Sequence, residues 1–377
     1  MSGIYFHIPF CKQACHYCNF HFSTSLKHKE AVLRAMEREL SYFAGQGWQG
    51  PAETVYFGGG TPSLLGVDEI ERFIERVSRL FGMAKGAEVT VEANPDDLDV
   101  TKIQALRDSP VNRLSVGIQS FDADELQWMN RAHTPAQALE SLEGIARNFE
   151  NYSLDLIYGI PGSDLKRWES NLSRALEFNP PHISAYALTV EPKTALHSFV
   201  KRGLSPDVDE GAAQEQFLHL VQSLEEKGYD HYEISNFALP GFYSRNNSAY
   251  WQGKSYLGIG PAAHSYDRKK RWWNPAHNLR YVKALEQGGF PGEVEALSTR
   301  DQYNEAVMMG LRTRWGVSLT KVREEYGPKY EAYLKRQADP YLREQLLFLD
   351  DNTLYTARKG KFLVDGIASD LFMINLK

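Results

Sequence analysis

Cys11, Cys15 and Cys18 are the only cysteines in a chain of 377 residues, and they fall within eight positions of one another. An odd, tightly clustered set makes a poor disulfide framework. In a reducing compartment such a set binds metal or does redox chemistry. The spacing is C-x3-C-x2-C, in a stretch from Phe6 to Phe20 that reads FHIPFCKQACHYCNF. Thiolates are the ligands of iron–sulfur clusters, and three of them can hold three irons of a [4Fe-4S] cube while one iron stays open for inner-sphere chemistry. The competing reading is a Cys3His zinc site with His7, His16 or His21 as the fourth ligand.

Other polar and glycine-rich positions recur at the ends of short apolar runs. Gly58, Gly59 and Gly60 precede Thr61 and Pro62; a glycine triplet lets backbone approach a ligand closely and present its N–H groups. Glu92, Gln119 and Asp155 sit in or at the end of further runs, and Arg131 lies in a connecting segment. A carboxylate can accept from both hydroxyls of a ribose, and an arginine can pair with a carboxylate.

The elements that must position these groups alternate. Strands are expected at 3–8, 54–57, 88–92, 113–118, 153–158 and 182–187. Helices are expected at 27–43, 68–80, 101–107, 135–147, 165–177 and 210–227. Six strand–helix repeats imply a parallel sheet with crossover helices, either partly closed into a barrel or open. Within the strands Ile4, Phe6 and Ile8 oppose Tyr5 and His7, and Leu114, Val116 and Ile118 oppose Ser115, Gly117 and Gln119. One face suits covering helices. The other is polar and must line a ligand cavity if buried, at the strand ends where barrel enzymes put their chemistry. The expected fold is α/β: a partial (β/α)6 TIM-like barrel with a wide lumen over 1–235, then a connecting stretch with little regular structure over 236–297. A small C-terminal α+β, winged-helix-like unit over 298–377 completes it, with helices at 301–314 and 319–325 and a hairpin at 346–356.

Net charge is −6, with 42% hydrophobic and 24% charged residues, as in ordinary soluble proteins. The acidic balance argues against broad nucleic-acid binding. With no secretory signal and no long apolar run, a cytoplasmic location is expected.

The cysteine spacing followed by an aromatic residue resembles the radical-SAM signature. The segment Tyr5-Phe6-His7-Ile8-Pro9-Phe10-Cys11 resembles the start of the oxygen-independent coproporphyrinogen III oxidase group, which includes a haem-chaperone branch. That resemblance covers nearly the whole chain. It implies a [4Fe-4S] cluster on Cys11, Cys15 and Cys18, with the amino and carboxylate groups of S-adenosylmethionine (SAM) on the open iron and reductive cleavage of its sulfonium bond. It further implies SAM contacts at Tyr5, Gly60, Thr61, Glu92, Gln119, Arg131, Asp155 and Ala187, with Gly59 at a second site.

Two departures favour the chaperone branch over the oxidase. Phe20 stands where the oxidase has a fourth cysteine, and the chain begins only two residues before its first strand. The branch resemblance implies haem as cargo, respiratory haem proteins as recipients, at the membrane, and an electron donor. The alternative is oxidative decarboxylation of coproporphyrinogen III, and a third, non-catalytic reading is a zinc-stabilised interaction protein. The haem-associated H-N-x-x-Y-W motif is matched by Asn247, Tyr250 and Trp251, with Asn246 in place of the histidine. Tyr250 and His264 are the substitute iron ligands considered, and His264 is read as a satisfied buried histidine. The basic run Arg268 to Trp273 is read as a solvated loop, and the C-terminal unit as a lid facing protein or substrate.

Overall fold

The computed structural model describes residues 3–48, 50–290 and 292–374. Six parallel strands form its centre: β1 Gly3–Ile8, β2 Ala52–Gly59, β3 Met83–Ala93, β4 Arg113–Gln119, β5 Tyr152–Tyr158 and β6 His182–Ala187. They lie in sequential order, each pairing in parallel with the next. Consecutive order means that every crossover runs the same way round. This is the winding of a barrel; a doubly wound sheet reverses direction.

The intervening helices are α1 Lys29–Gly45, α2 Val67–Phe81, α3 Val100–Asp108, α4 Ala123–Trp128, α5 Pro135–Asn148 and α6 Leu165–Leu176. They begin where the sequence supplies caps: Asp99 accepts from Lys102 N, Thr134 from Gln137 N and Asp164 from Arg167 N. Their apolar faces meet the aliphatic side of the strands. Ile4, Phe6, Ile8, Leu114, Val116 and Ile118 are all fully buried in one core. The alternation read from the sequence therefore holds, with the polar faces turned inward.

After β6 come α7 Ala195–Lys201, α8 Glu210–Glu226, β7 Asp230–Glu233 and β8 Asn236–Ala238, the last antiparallel to β6. The stretch expected to lack regular structure is in fact well ordered, up to Pro291, which lies outside the described residues. It contains α9 Arg245–Trp251, β9 Tyr256–Ile259, β10 His264–Tyr266, β11 Lys270–Trp273 and α10 Asn278–Glu286, and β12 Glu293–Ala296 follows. Strand β9 returns to pair in parallel with β1, and β10 to β12 extend the sheet antiparallel beyond it. Among the described residues the sheet has 12 strands.

The basic run expected to be a loop forms the turn into β11 and that strand itself. Trp272 is buried against Phe43 and Trp48, and Arg271 pairs with Glu295 at 2.6 Å and Glu305 at 2.8 Å. The charge of Arg271 is thus balanced within the protein, while Arg268, Lys269 and Lys270 are exposed.

The C-terminal unit has its own core, built on Tyr303, Val307, Leu311, Leu334 and Leu354. Its elements are α11 Thr299–Leu311, β13 Val317–Ser318, α12 Leu319–Tyr326, α13 Pro328–Arg343, β14 Leu347–Asp350, β15 Thr353–Thr356 and α14 Val364–Asp370. Helix, strand, two helices and a hairpin follow in the winged-helix order. Side chains of helix α11 and the residue after it reach both outer parts of the sheet, next to edge strand β12 and at edge strand β7. Glu305 meets Arg271 of β11, while Arg312, just past its end, meets Glu233 of β7 at 3.1 Å. Among the described residues no helix is long and apolar enough to cross a membrane.

Glu39 on α1 ties the extension to the barrel. It is fully buried and accepts from Tyr281 Oη at 2.5 Å, Asn274 Nδ2 at 2.6 Å and Gly260 N at 2.8 Å. Burial pushes its carboxyl up to about 7, against these three donors. Removing the acceptor strands buried donors, so Glu39→Ala should cost about 3 kcal/mol in chemical denaturation. Because the folded pKa lies above the unfolded one, this group's contribution is largest at low pH and is lost as pH rises towards about 7. Stability measured from pH 5 to pH 8 should therefore fall less steeply in Glu39→Gln than in the parent. Parallel curves would refute this assignment.

Candidate cofactor site in the barrel lumen

The three cysteines follow β1 on a loop held at the C-terminal end of the strands. Cys11 N donates to Ser23 O at 3.1 Å, and Ser23 N returns a bond to Pro9 O at 2.9 Å. Across the lumen mouth, Gln13 Nε2 donates to Asn130 Oδ1 at 2.6 Å, and Asn130 Nδ2 donates to Ala14 O at 2.7 Å. His16 N donates to Met129 O and Leu196 N to His16 O. Tyr17 packs on an apolar cluster of Leu126, Met129, Ile157 and Leu188. The loop is thereby fixed from several strands' ends before any ligand arrives.

Cys11, Cys15 and Cys18 form part of the wall of a cavity of about 460 Å3 that also presents Gly59, Gly60, Thr61, Glu92, Gln119, Arg131, Asp155 and Ala187. Eleven of the twelve residues named from the sequence thus face one space. The twelfth, Tyr5, lines a smaller chamber of about 210 Å3 deeper in the lumen, where its hydroxyl lies 3.2 Å from His7 Nδ1. Glu92, Ser115, Asp155 and Tyr186 border both spaces.

Arg131 links the cysteines to the strand ends. Its Nη2 donates to Asn94 Oδ1 and to Gly117 O, both at 2.7 Å, and its Nη1 lies 3.5 Å from Cys15 Sγ. Its Nε, buried, has no partner, so the group is left with a donor. Gln119 ends β4 with φ of 65°, beside a register shift between Gly117 and Gln119. A left-handed glutamine costs about 1 kcal/mol or more, and here it turns the chain at the cavity wall.

Gly60 explains the glycine run. A Cβ there would stand 2.7 Å from Phe10 O and 2.8 Å from Ile8 O, both backbone. Gly59 has φ of +108°, and a Cβ would meet the His7 ring at 2.5 Å. The β2 turn can nest against the cysteine loop only without side chains.

The two acids are half-buried and hydrogen-bonded. Burial pushes Glu92 up to about 7, although Tyr56 Oη donates to it at 2.8 Å and Gly59 N at 3.2 Å. Burial also raises Asp155, against donors from Ser115 at 3.2 Å and Ser153 at 3.3 Å. Burial pushes the Cys11 thiol up to about 11, with the Thr61 hydroxyl opposing.

The donor set fits a cluster held by three thiolates. A zinc ion needs four donors within about 2.3 Å, and the cysteines offer three, so a histidine would have to supply the fourth. The three candidate histidines are engaged elsewhere. His7 Nε2 bonds His21 O at 2.9 Å, His16 Nδ1 bonds Trp128 O at 2.8 Å, and His21 Nε2 bonds Asn278 Oδ1 at 2.7 Å.

Sequence reading passed over several lumen groups. Asn94 orients Arg131 and donates to Thr61 Oγ1 at 3.3 Å; Tyr56 supports Glu92; Tyr186 faces both cavities. Each shares strand parity with a residue that was named or with a polar neighbour two positions away, so the alternation contained the signal. At the haem-associated segment, Asn246 is buried with its Oδ1 accepting from Thr54 Oγ1 at 3.0 Å, and burial raises the Tyr250 phenol further above its ordinary value. His264 is exposed, contrary to the buried reading, with its ring stacked 5.9 Å from that of Trp273.

Residues 5–175 match the family model described as the radical SAM superfamily, and 297–363 match the HemN C-terminal domain. The chain is 33% identical over 370 residues to the heme chaperone HemW of Bacillus subtilis, covering 96% of this chain and 97% of that one. It is 34% identical to heme chaperone HemW of Lactococcus lactis, covering 97% and 98%. A mitochondrial radical S-adenosyl methionine domain-containing protein 1 from Bos taurus is 32% identical, covering 98% and 87%. Among solved structures, coproporphyrinogen III oxidase HemN of Escherichia coli superposes with a TM-score of 0.85 at 22% identity, covering 98% of this chain and 90% of that one. At that identity the likeness establishes the fold.

Gly60→Ala should destabilise the protein by about 1–3 kcal/mol and displace the cysteine loop. Thermal denaturation, together with faster reaction of the three thiols with a disulfide reagent in the metal-free protein, measures it. Unchanged melting and unchanged thiol reactivity would show that the close approach is immaterial.

Proposed function

This chain belongs to the radical SAM superfamily, within the HemW heme chaperone family, and from that membership we propose that it is a haem chaperone that binds a [4Fe-4S] cluster, SAM and haem. The observation that supports this most directly is the convergence of three thiols, a glycine turn, a half-buried arginine and two half-buried acids on one 460 Å3 cavity. Cys11, Cys15 and Cys18 hold the cluster. When bound, the cluster supplies the electron that breaks the sulfonium C–S bond of SAM.

The chain's own groups bind and orient SAM. Gly60 and Thr61 receive its amino group at the β2 turn, while Arg131, fixed by Asn94 and Gly117, pairs with its carboxylate. Asp155 and Glu92 offer acceptors to the ribose hydroxyls. Gln119 and Ala187 border the remainder of the nucleoside, and Tyr5 and Gly59 face the deeper part of the lumen.

Haem delivered to respiratory haem proteins is the cargo in this reading. Recipients at the membrane and an electron donor complete it, and the location is cytoplasmic. With Asn246 tied to Thr54 and the Tyr250 phenol held protonated by burial, axial ligation through either is disfavoured. The exposed His264 on β10 is the better-placed imidazole.

One anaerobic sample tests the reading. After reconstitution with iron and sulfide, single Cys11→Ala, Cys15→Ala and Cys18→Ala variants should lose most of their cluster absorbance, and Asp155→Asn should weaken SAM binding about tenfold or more. Haem should bind stoichiometrically without conversion of coproporphyrinogen III. Turnover of coproporphyrinogen to protoporphyrinogen by the same sample would refute the chaperone assignment in favour of the oxidase.

A further inference from the structure

Below the cofactor cavity, the 210 Å3 chamber contains a charge that the chemistry above does not use. Arg113 opens β4 on the inward face, two positions before Ser115, and is 2% exposed. Its side chain makes no hydrogen bond or ion pair among the described residues, and its Nε is buried without a partner. Thr90, its register partner on β3, has a buried and unpartnered hydroxyl. An unpaired buried guanidinium costs several kcal/mol unless something in the site completes it.

The chamber's own carboxylates do so only through space: the charge of Arg113 lowers both Glu92 and Asp155, but among the described residues neither hydrogen-bonds or closely pairs with it. Glu92 is taken up by Tyr56 and Gly59 N, and Asp155 by Ser115 and Ser153. Further donors face the same space. Asn246 uses its carbonyl to accept from Thr54, and Asn247 uses its carbonyl to accept from Trp251 Nε1 at 3.1 Å. Each side-chain amide nitrogen also serves a phenol, Asn246 that of Tyr250 and Asn247 that of Tyr232, and with two N–H groups apiece each retains one beside the chamber. Helix α9, which carries these two, is pinned in place because Glu88 accepts from Arg245 N at 3.0 Å and Asn246 N at 3.1 Å.

We propose that Arg113, with the amides of Asn246 and Asn247, forms a carboxylate-binding site at the floor of the lumen. A carboxylate matches one planar guanidinium in charge and in bidentate shape. A doubly charged phosphate would leave excess negative charge beside Glu92 and Asp155. The ligand is either a free small carboxylate or a carboxylate arm of the tetrapyrrole; the second source rests on the haem reading above.

The test uses the full chain at fixed ionic strength. Sodium propionate should raise the melting temperature of the parent protein over a sodium chloride control, and Arg113→Met should abolish the rise. Propionamide, isosteric and uncharged, should give none in the parent, a control that stands even if Arg113→Met fails to fold. No propionate-dependent rise, or an equal rise with propionamide or in a folded Arg113→Met, overturns the proposal. Titration with haem and with haem dimethyl ester identifies the source. If the arm is the ligand, Arg113→Met and esterification each weaken binding about tenfold or more; if both leave haem affinity unchanged while propionate still stabilises, the ligand is a free carboxylate. A parent that binds no haem but responds to propionate refutes the haem reading and supports the site.

Discussion

Polar side chains buried inside a barrel must find partners, and this requirement organises the molecule. Each of the first six strands turns its aliphatic residues outward to the helices, which leaves serines, acids, amides, tyrosines and arginines facing one another across the lumen. Water cannot serve them all at such depth. They are satisfied instead by cross-strand bonds such as Tyr56 to Glu92 and Ser115 to Asp155. Of the groups left unsatisfied among the described residues, Arg131 Nε and Arg113 Nε belong to side chains that border the spaces where ligands are proposed to sit. The same pattern that stabilises the wall therefore marks the sites.

The cysteine loop depends on that wall. Thiols on a free loop would sample many arrangements. Here backbone and amide bonds from Ser23, Asn130 and Met129 restrain the loop, and Arg131 holds its position through Asn94 and Gly117. Gly60 lets the β2 turn approach within contact of Phe10. Preorganisation of this kind lowers the entropy lost when a cofactor binds.

The sequence made the repeating part of this legible and the rest less so. Six strands and their helices announce themselves through long runs with clear periods of about two and 3.6 residues. Three of the later strands, β9, β11 and β12, are only four residues long, too short for alternation to stand out among glycines and aromatics. Trp272 and Trp273 look like exposed tips of a basic loop until pairing with β10 and β12 turns one of them inward. Helix α13 begins at Pro328 and carries Pro340 within it, and prolines argue against an interior helix. The cluster ligands were legible because cysteines are rare; Asn94 and Arg113 were not, because such residues are common and only packing shows that they are buried.

Helix α11 gives the open barrel an unusual seam. At its C-terminal end the chain pairs with β7 through backbone, Ile234 N donating to Arg312 O and Arg314 N to Tyr232 O, both at 3.0 Å, whereas Glu305 reaches β11 only through its ion pair with Arg271. Ladder bonds fix spacing to a fraction of an ångström, whereas long ion-paired side chains tolerate sliding. The helix is therefore tied rigidly to the β7 side of the lumen and elastically to the β11 side. Salt weakens exposed charge pairs more than buried backbone bonds, so the compliance of this side varies with ionic strength while the cysteine end keeps its shape.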